Sequence, residues 1–287
     1  MLLRHILAAA DESDAGRQAV RTAMDLASRA SARVTILRVT AVETSRQLVG
    51  AGHGAGYTNG REDQVALTYL RRWLEADVLS TDEVRAAELA TASGVPGIEI
   101  CRLAEQSQAD LLVLGRKRHS RMTRLLLGDT ADSVARRSRF PCVFVPPGSG
   151  EIRKVLVALD GSDRAVNVLN KACDFARYAG ATLEAVTVEE SSNSEPLQIV
   201  STLPASRSSS LQVRVREVLS REGFPGAQLA IRRGEIVEQV VTEAQERGAQ
   251  VLAIGYHRGG PPGVIEAGST ARRLAHAAPC AVLTIPL

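Results

Sequence analysis

Aromatic residues make up only 3% of the chain, with a single Trp. That argues against a stacking platform for single-stranded nucleic acid. The four cysteines of the 287 residues (Cys101, Cys142, Cys173 and Cys280) are widely spaced, with no CxxC pair and no Cys/His cluster. A disulfide framework or a structural zinc site is therefore not expected, and a reducing, cytoplasmic setting is. Charge of one sign is nearly lacking too, because 35 Lys and Arg against 32 Asp and Glu leave a net +3. An excess that small does not mark a nucleic-acid binder. No apolar run approaches the ~20 residues of a membrane span. The opening Met1-Leu2-Leu3-Arg4-His5-Ile6-Leu7 lacks the n-region and long h-region of a signal peptide and reads as a first strand. Neither membrane nor nucleic acid is an expected partner.

What the chain does have is itself twice. At 45% hydrophobic and 23% charged residues it has an ordinary globular composition, and its length predicts two domains. Ile6-Leu-Ala-Ala-Ala-Asp11-Glu-Ser13-Asp returns as Val155-Leu-Val-Ala-Leu-Asp160-Gly-Ser162-Asp. Ala109-Asp-Leu-Leu-Val-Leu-Gly115 returns as Ala249-Gln-Val-Leu-Ala-Ile-Gly255. Gly128 recurs as Gly268, and Phe140-Pro141-Cys142 as Ala278-Pro279-Cys280. Such self-similarity implies two copies of one domain, residues 1–147 and 151–287, joined by a Pro- and Gly-rich linker at 146–150.

Within the second copy, apolar runs alternate with helical periodicity. Strands are expected at 154–159, 182–188, 227–231, 250–254 and 281–285. Helices are expected from Ala165, whose face continues through Leu169, Ala172 and Ala176, and over 211–221, 236–246 and 269–276. Ser162 is the expected cap of the first helix, and 189–210 the expected polar loop. The first copy follows the same order. The fold class is α/β: two repeated doubly wound domains, each a five-stranded parallel sheet with helices on both faces.

In such sheets a ligand binds beyond the C-terminal strand ends, where strand order reverses. Asp160 ends the first strand of copy two, Gly255 ends the fourth, and Gly268-Ser269 opens the next helix. A carboxylate there can accept from ribose hydroxyls, and a helix N-terminus suits phosphate. Each residue also has a plainer reading, glycine as a turn and serine as a cap; their joint placement on one side of the sheet is what raises the functional one.

Both copies resemble universal stress protein domains, and the chain resembles the tandem members of that family. Asp11 and Asp160 match the family's strand-one Asp. The family's nucleotide-binding members carry Gly-x-x-Gly, nine residues, then Gly-Ser or Gly-Thr. Gly255 and Gly268-Ser269 match that motif, with Arg258 in place of the second glycine. In copy one Gly115 and Gly128 match, but Arg118 replaces the second glycine and Asp129 the hydroxyl residue. The resemblance implies an adenine-nucleotide alpha-hydrolase-like fold and a non-enzymatic stress-response role. It implies ATP or AMP, with or without Mg²⁺, as ligand, and Val188 beside the adenine, with Val39 its counterpart. It also implies packing of the two copies as an intramolecular pseudo-dimer through their last strands, with homodimerisation left open. The expected binding residues are Asp160, Val188, Gly255, Arg258, Gly268 and Ser269; no catalytic or metal-binding residue is expected.

The departures favour copy two as the site. Asp129 would set a carboxylate beside a polyphosphate, a repulsion of a few kcal/mol at about 4 Å and intermediate dielectric before screening. It is expected instead to cap the helix from Thr130. Arg258 either removes glycine's freedom or supplies a phosphate partner. The run 116–121 reads as a solvated basic loop, and Gly50-Ala-Gly-His53-Gly-Ala-Gly-Tyr57 as a loop, since no Gly-Lys-Ser/Thr follows. Cys142 and Cys280 are expected as buried inert thiols, and Trp73 in core or interface. The rival readings are a nucleotide-free scaffold of the same fold, and an adenylate-forming ligase. For the latter the Ser-Gly-Gly-x-Asp-Ser and His-x-Gly-His signatures are missing.

Overall fold

The structure is a computed structural model that describes residues 2–40, 60–116, 128–189, 205–257 and 269–287, with the side chains of 60–63, 205–209 and 269 excepted. The described residues divide into two compact units, one within 2–149 and one within 150–287.

The first unit runs β1 (His5–Ala9), α1 (Asp14–Ala30), β2 (Arg33–Thr40), α2 (Gly60–Asp77), α3 (Thr81–Ala86), β3 (Glu88–Ser93), α4 (Pro96–Gln106), β4 (Leu111–Gly115), α5 (Asp129–Arg137) and β5 (Cys142–Val145). Its strands lie in the order β3-β2-β1-β4-β5, and every pairing is parallel. The second unit runs β6 (Lys154–Leu159), α6 (Ala165–Ala179), β7 (Thr182–Glu189), α7 (Ala205–Arg221), β8 (Leu229–Arg233), α8 (Ile236–Glu246), β9 (Val251–Tyr256), α9 (Ser269–Ala277) and β10 (Ala281–Pro286). Its order is β8-β7-β6-β9-β10, again all parallel.

The central strands explain the pattern. Ile6, Leu7, Ala8, Leu111, Leu112 and Val113 are all fully buried, as are Val155, Leu156, Val157 and Val251 to Ala253. A strand buried on both faces needs a continuous apolar run, and helices must cover each face. On α1, Ala15, Ala19, Ala23 and Leu26 to Ala27 form the buried stripe; on α6, Ala165, Leu169, Ala172 and Ala176 do so. Their small side chains let the helices lie close to the sheet.

At the N-terminal end of each sheet the same tie recurs. Asp110 Oδ2 accepts from the amides of Arg4 and His5 at 2.8 and 3.0 Å. Gln250 Oε1 accepts from Arg153 and Lys154 at 3.2 and 2.8 Å. Each fixes the start of the first strand against the start of the fourth.

Several local expectations shift. The strand expected at 227–231 is β8, two residues later, because Arg232 and Arg233 lie in it and break the apolar signal. Arg232 is drawn in by Glu243 on α8, a carboxylate 1% exposed that Arg247 also holds at 3.0 Å. Helix α7 starts at Ala205, not 211, because the run Ser206-Arg-Ser-Ser-Ser210 carries no apolar periodicity. Ser162 does not cap α6: Arg164 occupies the N-cap position without a side-chain cap bond. Arg116 is not a solvated loop residue but fully buried, its amide bonded to Val145 O at 2.8 Å, where copy two has buried Tyr256. Residues 117–121 of that run and the glycine-rich stretch 50–57 lie outside the described residues. Trp73 is buried, Cys142 is buried and Cys280 half-buried. Burial pushes the thiols of Cys101 and Cys173 up to about 11 and about 12, so neither is a ready nucleophile at neutral pH.

His5 is a buried titratable group of the first unit. Its Nε2 lies 2.8 Å from Thr35 Oγ1, and Nδ1 lies 3.1 Å from Ser107 O and 3.3 Å from Arg33 Nη2. Burial, then the Arg33 guanidinium, lower its pKa below the ordinary value; Ser107 O, Glu88 and Asp110 oppose this. The fold therefore holds fewer protons than the unfolded chain as pH falls through about 6.5, and stability falls with it. Trp73, the sole tryptophan, lies in the same unit and reports its unfolding. Denaturant midpoints followed by its fluorescence should drop between pH 7.5 and 5.5, and His5→Asn should flatten that drop; a pH-independent midpoint in the parent protein would contradict the argument.

Candidate functional site

Strand order reverses between β1 and β4 in the first unit and between β6 and β9 in the second, so each unit has one crevice at its C-terminal strand ends. The two crevices are built from matching positions and filled differently.

In copy one the crevice holds its own polar groups. Asp11 Oδ1 accepts from the Ser13 amide at 3.1 Å and from the Ser13 hydroxyl. Ser13 Oγ in turn caps α1 by accepting from the Gly16 amide at 3.1 Å. The turn is so tight that a Cβ on Gly16 would collide with Asp11 O and Oδ1. A Cβ on Gly115 would stand 2.6 Å from Ala15 C and 2.8 Å from Gly16 N. Gly115 is thus a packing glycine, required by the approach of α1 to the end of β4.

A second set closes the β1–β2 side. Glu12 Oε1 accepts from Arg38 at 2.8 Å and from the Tyr69 hydroxyl at 2.7 Å, and the Arg38 guanidinium lies 4.6 Å from the Tyr69 ring centroid. The Tyr69 hydrogen bond, then Arg38, hold the Glu12 carboxyl below the ordinary range, and the same bond raises the Tyr69 phenol. By the repeat, Glu12 and Arg38 correspond to Gly161 and Thr187. The buried rows Leu70, Trp73, Leu74 and Val215, Val218, Leu219 align Tyr69 with Arg214. None of the three closing residues recurs in copy two.

Copy two is more open in what its groups hold. Asp160 is exposed, and its Oδ1 accepts from the Ser162 amide at 3.0 Å. Ala165 stands where copy one has Gly16, and α6 starts there, two positions later than α1 does in the repeat. Gly255 meets side chains rather than backbone: a Cβ there would lie 2.9 Å from Leu287 Cδ1 and 3.0 Å from Val168 Cγ2. Arg164 Nη1 approaches His257 Nδ1 at 3.4 Å, and Arg214 pairs with Asp163 at 3.0 Å. Val188 is half-buried in β7, opposite Arg232 in β8, and Val39 is likewise half-buried.

Asp160 thus follows β6 and Gly255 is the last residue but one of β9, the two strands that border the reversal, and Ser269 opens α9. Arg258 and Gly268 lie outside the described residues, as do residues 259–263 and the side chain of Ser269. In copy one the cap of α5 is Gly128, in extended conformation, and Asp129 is the first helical residue rather than the cap. Its carboxylate sits in the first turn, where the helix dipole favours negative charge and a phosphate would compete for the same ends. Sequence reading missed Glu12, Arg38, Tyr69, Arg164 and His257; superposing the two copies position by position is the signal that exposes them. Among the described residues, no group of three His, Cys, Asp or Glu side chains is placed to hold a metal ion. No helix among them is long and apolar enough to cross a membrane.

Comparison with known proteins settles the family. A model of the universal stress protein family matches twice, over residues 3–146 and 151–286. The chain belongs to the universal stress protein family. It is 21% identical over 270 residues to universal stress protein Slr1230 of Synechocystis, covering 89% of this chain and 90% of that one. A crystal structure of a universal stress protein from Archaeoglobus fulgidus covers 100% of this chain and 99% of its own, with TM-score 0.70 at 18% identity. A protein of unknown function from Pseudomonas aeruginosa PAO1 covers 99% and 92%, with TM-score 0.64 at 17% identity. At these identities the solved structures speak to the tandem fold alone.

The contrast between the two strand-end glycines is testable. Gly115→Ala forces a methyl against backbone that cannot yield and should cost about 1–3 kcal/mol. Gly255→Ala meets only side-chain ends, which can turn aside, and should cost less than about 1 kcal/mol. Denaturant unfolding of both variants, followed by Trp73 fluorescence and by circular dichroism, measures this; equal losses would refute the packing account of Gly115.

Proposed function

We propose that this tandem universal stress protein is a non-enzymatic, cytoplasmic stress-response module that binds one adenine nucleotide, ATP or AMP, in its second copy. The observation that carries this reading is the difference between Asp11 and Asp160. The first is held by both donors of the serine that caps its helix; the second takes one amide and lies beside a helix start with no side-chain cap. A carboxylate at the end of the first strand can accept from the two ribose hydroxyls, and helix starts offer N–H groups to phosphate. Gly255 and Ser269, with Arg258 and Gly268 by the family motif, complete the set of residues that would line the ligand, with Val188 beside the base. Mg²⁺ arriving with ATP would be held by the nucleotide's own phosphates. The setting in the cytoplasm fits four cysteines that form no disulfide.

Copy one favours the second reading, a nucleotide-free scaffold. Glu12, Arg38 and Tyr69 bond one another on its β1–β2 side, and Asp129 opens the helix that would receive phosphate. A ligand confined to copy two acts by stabilising the state that binds it, worth about 2.7 kcal/mol at a hundredfold excess over Kd.

Calorimetric titration of nucleotide-stripped protein with ATP, with and without Mg²⁺, should saturate at one nucleotide per chain. Asp160→Ala should weaken binding about tenfold, near 1.4 kcal/mol, and Asp11→Ala should leave it unchanged. Two nucleotides per chain would overturn the account of copy one. No heat at millimolar ATP, with an unchanged melting temperature, would leave the scaffold reading for both copies.

A further inference from the structure

The second copy brings two basic side chains together without an acid between them. Arg164, at the N-cap position of α6, places Nη1 3.4 Å from Nδ1 of His257, the residue after β9. A guanidinium carries only donors, so His257 Nδ1 must accept and the ring proton sits on Nε2. The pair therefore offers the remaining guanidinium N–H groups and an imidazole N–H, with its one acceptor already used. Among the described residues no carboxylate pairs with Arg164. The two neighbouring acids are engaged elsewhere, Asp163 with Arg214 at 3.0 Å and Asp160 with the Ser162 amide at 3.0 Å.

Copy one does not repeat the arginine. The position of Arg164 is held there by Ala15, which is buried against the end of β4. The exchange of a buried methyl for an exposed guanidinium lies at the strand-order reversal, next to Gly161 and Asp160. The pair carries the guanidinium's charge with no carboxylate beside it among the described residues, and its free N–H groups suit an anion. An arginine suits a phosphate best, because its planar fork can bond two phosphate oxygens at once.

We infer that Arg164 and His257 form the phosphate-reading end of the site in copy two, and that Arg164 makes it select phosphorylated adenine nucleotides over the nucleoside. This rests on the proposal that copy two binds an adenine nucleotide, and it adds the residue that sets the choice among such ligands. His257 positions the guanidinium and adds one donor; Asp160 holds the ribose.

The test is calorimetric titration of nucleotide-stripped, full-length protein with ATP, AMP and adenosine, repeated at about 50 and about 200 mM salt, since screening weakens exposed charge pairs. ATP and AMP should bind more tightly than adenosine, and ATP should lose more affinity at the higher salt. Arg164→Ala should weaken ATP about tenfold and leave adenosine unchanged, and Arg164→Lys should recover part of the loss. Melting temperatures equal to the parent's establish that the variants fold. An unchanged ratio of ATP to adenosine affinity in Arg164→Ala overturns the inference and leaves the nucleotide reading standing. If the parent protein binds no nucleotide, that reading falls, and tripolyphosphate decides the inference. Tripolyphosphate binding that Arg164→Ala abolishes upholds a phosphate site at this pair; absence of binding, or binding that survives the substitution, overturns it.

Discussion

How closely the first helix of each copy approaches the end of its fourth strand decides what each crevice can hold. In copy one two glycines, Gly16 and Gly115, remove every Cβ from that contact, and the backbone of α1 settles against β4. The approach draws Asp11 into the turn and lets Ser13 cap the helix. In copy two Ala165 replaces Gly16, and its methyl cannot be set against the Asp160 backbone in the same way. Side chains, Val168 and Leu287, fill the space beside Gly255 instead. The exchange of Gly16 for Ala165 thus goes with a different filling of the space beside the strand-end glycine in each copy.

Hydrogen-bond accounting carries the argument from packing to chemistry. Polar groups near a folded core are bonded to protein, to water or to a ligand, and leaving one unmet is costly. Glu12, Arg38 and Tyr69 meet one another's needs at the mouth of copy one, and no outside group is required. At the same three positions copy two has Gly161, Thr187 and Arg214, which form no such set. The acid that Arg214 finds, Asp163, is fully exposed, and a pair of that kind contributes little to stability.

The architecture was legible because the signals that set it are redundant. Apolar strands buried on both faces, helices with small buried residues, and a repeat of the whole pattern each point to the same sheet. Legibility failed where a tertiary partner overrides a local pattern. Arg232 enters β8 because Glu243 waits for it on α8, and Arg116 is buried because its backbone continues β4. Ser162 occupies the position from which Ser13 caps α1, yet α6 starts two positions later and beyond its reach. The strand-end Asp and Gly positions could be read from motif spacing, whereas the closing set of copy one could not. Its members are 57 residues apart at the extreme, and only the folded chain brings Tyr69 to Glu12.

The two ends of each sheet are under different constraints, and the repeat shows it. At the N-terminal end, a carboxylate in one copy and a carboxamide in the other accept from the same pair of strand amides. Either group works because the task is to tie two strands, and only an acceptor is needed. At the C-terminal end the equivalent positions carry residues of different size and charge, Gly against Ala, Glu against Gly, Ala against Arg. None of these exchanges disturbs strand order or register, so the fold tolerates them. They alter the start of the first helix and the donors and acceptors at the strand ends, and leave the sheet itself unchanged.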